Sequence, residues 1–512
     1  MNQLNAIQIE VLNHALAGIT EEMMVSLVRG AHSPNIKERK DCSTALFDNQ
    51  GRVIAQAQAI PVHLGALGDA VHVVQAMNPK PGDVYLLNDP FQGGSHLPDL
   101  TLVSVVSGPT LHREKEILGF TVSRAHHSDV GGARPGSMPA DSIEIYQEGI
   151  VIPPTLIAQA NEIDENVLRL ILANVRQPHQ RRADLQAQIA ANHLGALRFQ
   201  GLAGQTEHFQ NALEELMAYA ERRFRASIEH LGTGQYRAED FLESPANPTA
   251  LISLKVAISL EKDHIVVDFT GTAEQIQGNL NAPLAVTRSA VYFALRALID
   301  PDLPLNEGAY RPITLIAPPK SLVHAQRPSA VVAGNVETSQ RICDLIFLAL
   351  APVAKMAQGQ GTMNNLILGN QHFSYYETIG GGQGASAWGP GLDGVHVGMS
   401  NTLNTPIEAL ELEYPLRVER YELREGSGGA GTHAGGMGII RELMVLEDCT
   451  LSLLSERRNI APQGVSGGKP GAKGVNLLDG QPLPGKVSMR LRAGQRLSIQ
   501  TPGGGGWGLT EA

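Results

Sequence analysis

About half of the 54 glycines in this 512-residue chain fall between positions 380 and 508, in runs such as GGGQG, GSGGAG, HAGGMG and TPGGGG. A glycine inside a helix costs about 1 kcal/mol relative to alanine, so this density argues against helices there and favours extended chain with tight turns. Short apolar runs of β type, TLSLLS (450–455) and RLSIQ (496–500), return between the glycines and separate the region from a disordered tail. The expectation is a sheet joined by many turns, with GGGQG and TPGGGG themselves among the turns.

The rest of the chain alternates in type. Ile7, Val11, Leu12, Leu16, Ile19, Met23 and Leu27 form a helical stripe that ends near Gly30. CSTALFDNQGRVIAQA (42–57) reads as a hairpin turning at Asp48–Gly51, with Asp41 opening its first strand. Residues 61–77 read as a second helix, and PGDVYLLNDP, TLVSVV and EILGFTVSRAHH as strands, the last two joined by a polar segment containing Gly108 and Pro109. Positions 161–231 are nearly free of glycine and proline and favour long helices. Strands follow in 251–273, then helices in SAVYFALRALI and SQRICDLIFLALAPVAKMA. The fold class predicted is mixed α/β (α+β), multi-layered, with a helical middle and a Gly-rich β C-terminal part. Its segments are 1–160, 161–250, 251–379 and 380–512.

Several function classes are excluded. Net charge is −11 with 4% aromatics and no basic block, which argues against nucleic acid as a partner. The most continuous apolar run, LIFLALAPVA (345–354), is far short of the roughly 20 residues a membrane helix needs. Cys42, Cys343 and Cys449 are too scattered for a disulfide framework or a cysteine-rich zinc site, and the N-terminus lacks the features of a signal peptide. A cytoplasmic setting is expected.

What stands out chemically is NDPFQGGSHLPDL (88–100), which sets His96 and Asp99 behind two glycines at the mouth of an apolar strand. A divalent metal needs three or four converging nitrogen and oxygen donors. Strand ends in the first 130 residues deliver Asp41, Asp89, His96, Asp99, His126 and His127. Taken alone, a His-x-x-Asp pair is more often a turn cap or a surface hydrogen bond, and Asp41 can equally pair with Arg39 or Lys40. Adjacent strand residues face opposite sides, so only one of His126 and His127 is expected at a metal; the choice stays open. Asn335, Glu337, Arg341 and Asn365 sit in polar clusters beside helix starts, where hydrogen bonds to turns compete with a role as pocket lining. No P-loop, dinucleotide fingerprint or nucleophile elbow occurs, and Cys42 reads as a buried small residue rather than a nucleophile. An ATP site, if one is needed, must come from another chain.

SPNIKERKDCSTALFD, NDPFQGGSHLPDLTLVSVV, RAHHSDVGG, DFTGTAEQIQGNLNAP, LNEGAYRPI, GNVETSQR, QGTMNN, YYETIGGGQGA, YPLRVERYELREGSGGAG and TPGGGGWG together resemble the hydantoinase B/oxoprolinase family, in family order over nearly the whole chain. The resemblance implies the B-type component of an ATP-dependent cyclic amidohydrolase. Its A-type partner subunit would have an actin-like ATPase fold and phosphorylate a hydantoin, 5-oxoproline or related lactam, in a hetero-oligomer. It also implies a divalent metal (zinc, manganese or iron) held by Asp41, His96, Asp99 and one of His126 and His127. Asp129 or the remaining histidine is the candidate for moving a proton. Subunits of acetone- and acetophenone-type carboxylases resemble the chain too, and a non-catalytic scaffold for the ATPase subunit is the alternative of another class. RRADLQAQIAAN (181–192) departs from the family's Gly-Asp-Leu at Ala183, where a local loop difference is expected.

Overall fold

The computed structural model describes residues 4–58, 60–108, 116–159, 162–245, 247 and 250–510. Its first sheet takes β1 (Cys42–Asp48), β2 (Val53–Gln58), β3 (Asp83–Leu87), β4 (Asp99–Ser107), β5 (Ile117–His126), β6 (Thr155–Gln159) and β7 (Glu162–Ile163) in the antiparallel order β2-β1-β5-β4-β3-β6-β7. Pro109 and the rest of the segment joining β4 to β5 lie outside the described residues. Both faces of this sheet are covered, which explains strands that are apolar almost throughout rather than alternating. Leu46 and Leu118 pack on the α1 (Ala6–Gly30) side, whereas Phe47, Phe120 and Val122 face the main core. After α2 (Pro34–Lys37), the expected second helix divides. Pro61–His63 forms a single 3-10 turn with Pro61 at its first position, where a missing N–H costs nothing, and α3 (Leu67–Gln75) begins only afterwards.

The helical middle consists of α4 (Glu165–Leu172), α5 (Pro178–Gln205) and α6 (Phe209–Leu231). α5 lies along α1 and across β4 and β5. The expected loop difference at 181–192 is absent: the stretch is inside α5, where Ala183 is a better helix former than glycine. Among the described residues no helix is long and apolar enough to cross a membrane.

A second sheet, β8 (Gly234–Glu243), β9 (Leu251–Leu260), β10 (Ile265–Asp268) and β11 (Ile313–Ile316), packs one face on the same core as α7 (Leu284–Ile299) and α8 (Ser339–Ala349). The C-terminal strands are β12 (Asn365–Gly369), β13 (Ser374–Glu377), β14 (Leu416–Arg424), β15 (Gly438–Val445), β16 (Cys449–Leu454), β17 (Val475–Leu478), β18 (Gln481–Leu483), β19 (Lys486–Leu491) and β20 (Arg496–Gln500). They form two sheets, β13-β12-β16-β19 and β14-β15-β20-β17-β18, closed over a core that includes Leu366, Leu368, Leu451, Leu443 and Ile499. On β12 the intervening Ile367 turns to the main core. That core draws Phe47, Phe224, Leu254 and Leu454 from all four sequence segments.

GGGQG and TPGGGG are not turns: none of Gly380, Gly381, Gly382, Gly384 or Gly503–Gly506 has the left-handed φ a turn glycine would supply. What they provide is the missing Cβ. Gly503 donates to Ala472 O, Gly504 to Gly436 O, Gly505 to Gln358 O and Gly506 to Lys469 O, at 2.9–3.1 Å. Successive residues thus bond to different neighbouring segments rather than to one flanking strand. A Cβ on Gly504 would lie 2.0 Å from Gln383 O. Gly504→Ala should therefore destabilise the protein by about 1–3 kcal/mol or more, as overpacking against fixed backbone does. Gly201→Ala, in α5 with nothing within 4 Å of the added carbon, should stabilise it by about 0.5–1 kcal/mol. Denaturant unfolding of the two variants measures both signs.

Candidate metal centre

The loop before β4 is held by Asn88. Its side chain donates to Leu97 O (2.8 Å) and Ile150 O (3.0 Å) and accepts from Ile152 N (2.7 Å). Both glycines of the motif are sterically required: a Cβ on Gly93, at φ +93°, would sit 2.6 Å from Ala70 Cα, and one on Gly94 would sit 2.3 Å from Asn88 O. The loop closes on itself where Asp99 N donates to His96 O (3.1 Å). Sheet register does the rest. Asp99 on β4 lies opposite His126 on β5, and His126 N donates to Asp41 O (3.0 Å), so the ends of β1, β5 and β4 bring Asp41, His126 and Asp99 side by side.

The Asp99 carboxylate is the focus. Oδ1 is 3.0 Å from His96 Nε2 and 3.3 Å from His126 Nδ1; Oδ2 is 3.4 Å from His63 Nε2 and accepts from Ser95 Oγ at 2.5 Å. Ligand atoms of His96, Asp99 and His126 all lie within 4.8 Å of one another, and all three residues are buried. Asp41 stands outside that closest trio but lines the same small cavity of about 20 Å³, as do His63 and Asn335. The His126 ring stacks on Tyr376 at 4.6 Å and 9°, and Tyr376 Oη donates to Asn365 Oδ1 (2.9 Å).

The other candidates are placed elsewhere. His127 turns to the opposite face of the strand, where Nε2 meets Gln188 Oε1 at 2.9 Å. Asp129 accepts from the backbone of Gly131, Gly136 and Arg176 and pairs with the Arg176 guanidinium (3.0 Å), closing its own loop. Asp89 pairs with Arg327 and caps its own turn. Arg341 lies in a buried ion network with Asp240 (3.3 Å) and Glu456 (3.4 Å), beside Arg457 with Asp344 (2.7 Å). His63 escaped sequence reasoning, because helical periodicity placed it inside a helix, and Pro61 at the first position is compatible with one.

Burial pushes the His126 imidazole down to about 4 and lowers His63 as well. Burial also opposes ionisation of Asp99, but the imidazoles of His96 and His63 and hydrogen bonds from His126 and His63 outweigh it and hold the carboxyl well below its ordinary range. Asp41 is pushed up to about 7 by burial; Arg39 pulls it down and the charge on Asp99 pushes it up. At neutral pH the trio therefore offers an ionised carboxylate and a neutral His126, the protonation states a metal takes. His96 Nε2, although 3.0 Å from Asp99 Oδ1, is not oriented as a hydrogen-bond donor to it. Nδ1 and Nε2 of His96 and Nε2 of His126 are buried with no hydrogen-bond partner among the described residues. A neutral imidazole carries one N–H and one lone pair, so His96 and His126 can each present a lone pair; an unmatched one costs about 1–3 kcal/mol, which a cation between them removes. The donor set fits a divalent metal.

A sequence model described as hydantoinase B/oxoprolinase matches residues 5–510. The chain belongs to this family. It is 41% identical to an uncharacterized protein of Methanocaldococcus jannaschii over 99% of this chain and 91% of that protein. It is 38% identical to 5-oxoprolinase of Dictyostelium discoideum, matched over 100% of this chain but only 41% of that longer relative. The crystal structure of ATP-dependent caprolactamase from Pseudomonas jessenii superposes with a TM-score of 0.91 at 27% identity, covering 99% of this chain and 92% of that one.

A cation beside Asp41 favours its carboxylate over its acid, so metal uptake should release a proton. With the metal-free carboxyl near 7, affinity is expected to rise with pH up to about 7 and to level off above it, by at most about tenfold per pH unit for one proton. Calorimetric titration in two buffers of different ionisation enthalpy measures the release, and Asp41→Asn should abolish it.

Proposed function

We propose that this hydantoinase B/oxoprolinase chain is the metal-dependent component of an ATP-dependent cyclic amidohydrolase that opens 5-oxoproline, a hydantoin or a related lactam. The observation that carries the proposal is the buried convergence of His96, Asp99 and His126, with Asp41 on the wall of the small cavity that Asp99 and His126 also line. The names of two relatives, 5-oxoprolinase and ATP-dependent caprolactamase, support a cyclic amide as substrate class.

A lactam is a poor electrophile because its nitrogen donates into the carbonyl; phosphorylation of the oxygen turns that oxygen into a leaving group. The phosphorylating site belongs to an A-type partner with an actin-like ATPase fold in a hetero-oligomer. This is supported by the absence of a nucleotide motif from the sequence and by the match to only 41% of the 5-oxoprolinase. Three unpaired, buried cysteines suit a reducing cytoplasm.

A bound zinc, manganese or iron, held by His96, Asp99 and His126 with Asp41 as the further donor, would supply a water of lowered pKa and polarise the substrate oxygen. Ser95 and His63 fix the orientation of Asp99. Tyr376 keeps the His126 ring in plane, and Ser43 Oγ at 2.9 Å from Nδ1 holds His63. Asp129 and His127 are directed elsewhere, and His63, on the cavity wall, is engaged on both nitrogens in holding Asp99.

The test is a lactam panel assayed with ATP and the purified partner. Ring-opened product should form with ADP, and the His96→Ala/Asp99→Ala double variant should lose metal and at least about 1,000-fold in turnover while still binding the partner. Unchanged turnover in that complex would establish a scaffold, and bicarbonate-dependent gain of carbon would establish a carboxylase.

A further inference from the structure

The cavity beside the His96–Asp99–His126 cluster takes part of its wall from Asn335 and Val336, far away in sequence. Residues Gly334–Thr338 make one π-helical turn leading into α8, a feature that recurs at functional sites. The turn is pinned from several sides. Gly334 N donates to Asn279 O (2.9 Å), and a Cβ at this glycine would lie 1.9 Å from Asn281 O. Glu148 accepts from Val331 N and Val332 N (both 3.1 Å) just upstream. Downstream, Glu337 Oε1 accepts from Met363 N (3.2 Å) and Asn365 Nδ2 (2.8 Å).

On this fixed turn Asn335 is 3% exposed, and its Oδ1 has no hydrogen-bond partner among the described residues. An unmatched buried carbonyl costs about 1–3 kcal/mol, and a pinned backbone gives it little freedom to swing toward a neighbour. The cavity it lines, about 20 Å³, is the volume a single water needs. A polar wall with an unmatched acceptor is also what a buried water requires to stay.

We infer that Asn335 is a positioning residue whose Oδ1 accepts a hydrogen bond from one water and holds it beside the His96–Asp99–His126 cluster as the water of ring opening. This rests on the hydrolytic reading above. Nothing else about Asn335 is demanded: it carries no charge and is not needed to hold the metal.

The experiment combines a structure with a matched pair of variants in the assembled enzyme. A high-resolution crystal structure of the wild-type protein loaded with manganese should show an ordered water within about 3.2 Å of Asn335 Oδ1; its absence overturns the inference whatever the variants do. Asn335→Val and Asn335→Thr have the same shape and differ in one hydroxyl able to accept from water. The valine variant should lose on the order of 100-fold in kcat, the scale expected when a reacting group is misplaced by about 1 Å, with KM and bound manganese within about twofold of wild type. The threonine variant should recover at least about tenfold of that loss. Equal turnover of the two variants, or a loss confined to KM, overturns the role of Asn335 while leaving ring opening intact. Carboxylated product from the wild type overturns the hydrolytic reading first and this inference with it.

Discussion

An ionised carboxylate sealed from water must be matched by donors, since its desolvation penalty is several kcal/mol. Asp99 is matched from separate places, by Ser95 in its own loop, His126 across the sheet and His63 on the turn before α3, with the His96 ring 3.0 Å away but not oriented to donate. Much of the local fold serves that convergence. The pressed glycines bend the loop, the β4–β5 register sets His126 opposite, and the Pro61–His63 turn before α3 carries His63. A second buried cluster handles the same constraint differently. Asp240, Asp344 and Glu456 meet the guanidinium groups of Arg341 and Arg457. There the countercharge is covalently part of the chain. Around Asp99 the partners are imidazoles, and the nearby cations are engaged elsewhere: Arg39 with Asn35, Tyr376, Thr378 and Thr402, and Arg124 with Thr101 and Gly93. Guanidinium groups of the chain pair directly with the carboxylates of one cluster, whereas imidazoles with unmatched nitrogens surround the other, and that contrast is the physical argument for a metal.

The centre is also a joint. Arg39 follows the first helices, yet its guanidinium donates to residues of the C-terminal half and lies over the Tyr376 ring (4.8 Å), the same ring on which His126 stacks. Tyr376 belongs to β13, and its sheet closes over the other C-terminal sheet with the glycine-lined run at 503–506 hydrogen-bonded among the surrounding segments.

The parts of this arrangement legible from residues alone are those governed by local rules. Strand ends and the glycine pair pointed to His96 and Asp99. Strand parity required that one of His126 and His127 face the site, but parity does not say which; the pairing of Asp99 with His126 does, and register is a long-range property. His63 was hidden because an apolar helical pattern and a 3-10 turn followed by a shorter helix share the same periodicity. TPGGGG was misread because composition does not distinguish a glycine needed for left-handed φ from one needed for close approach. Asn335 was visible as a polar residue near a helix start, while its orphaned oxygen exists only relative to a cavity assembled from distant segments.

The glycine runs bear on the division of chemistry as well. A phosphate cradle needs several backbone N–H groups pointing at the same place with no other acceptor. In the run after Thr501 the N–H groups of Gly503, Gly504, Gly505 and Gly506 are each taken by a carbonyl of the protein, and in the run after Ile379 those of Gly381 and Gly382 are taken by Val395 O and Pro502 O. Binding a triphosphate there would break these backbone hydrogen bonds. The segments that look most like a nucleotide site are thereby structural.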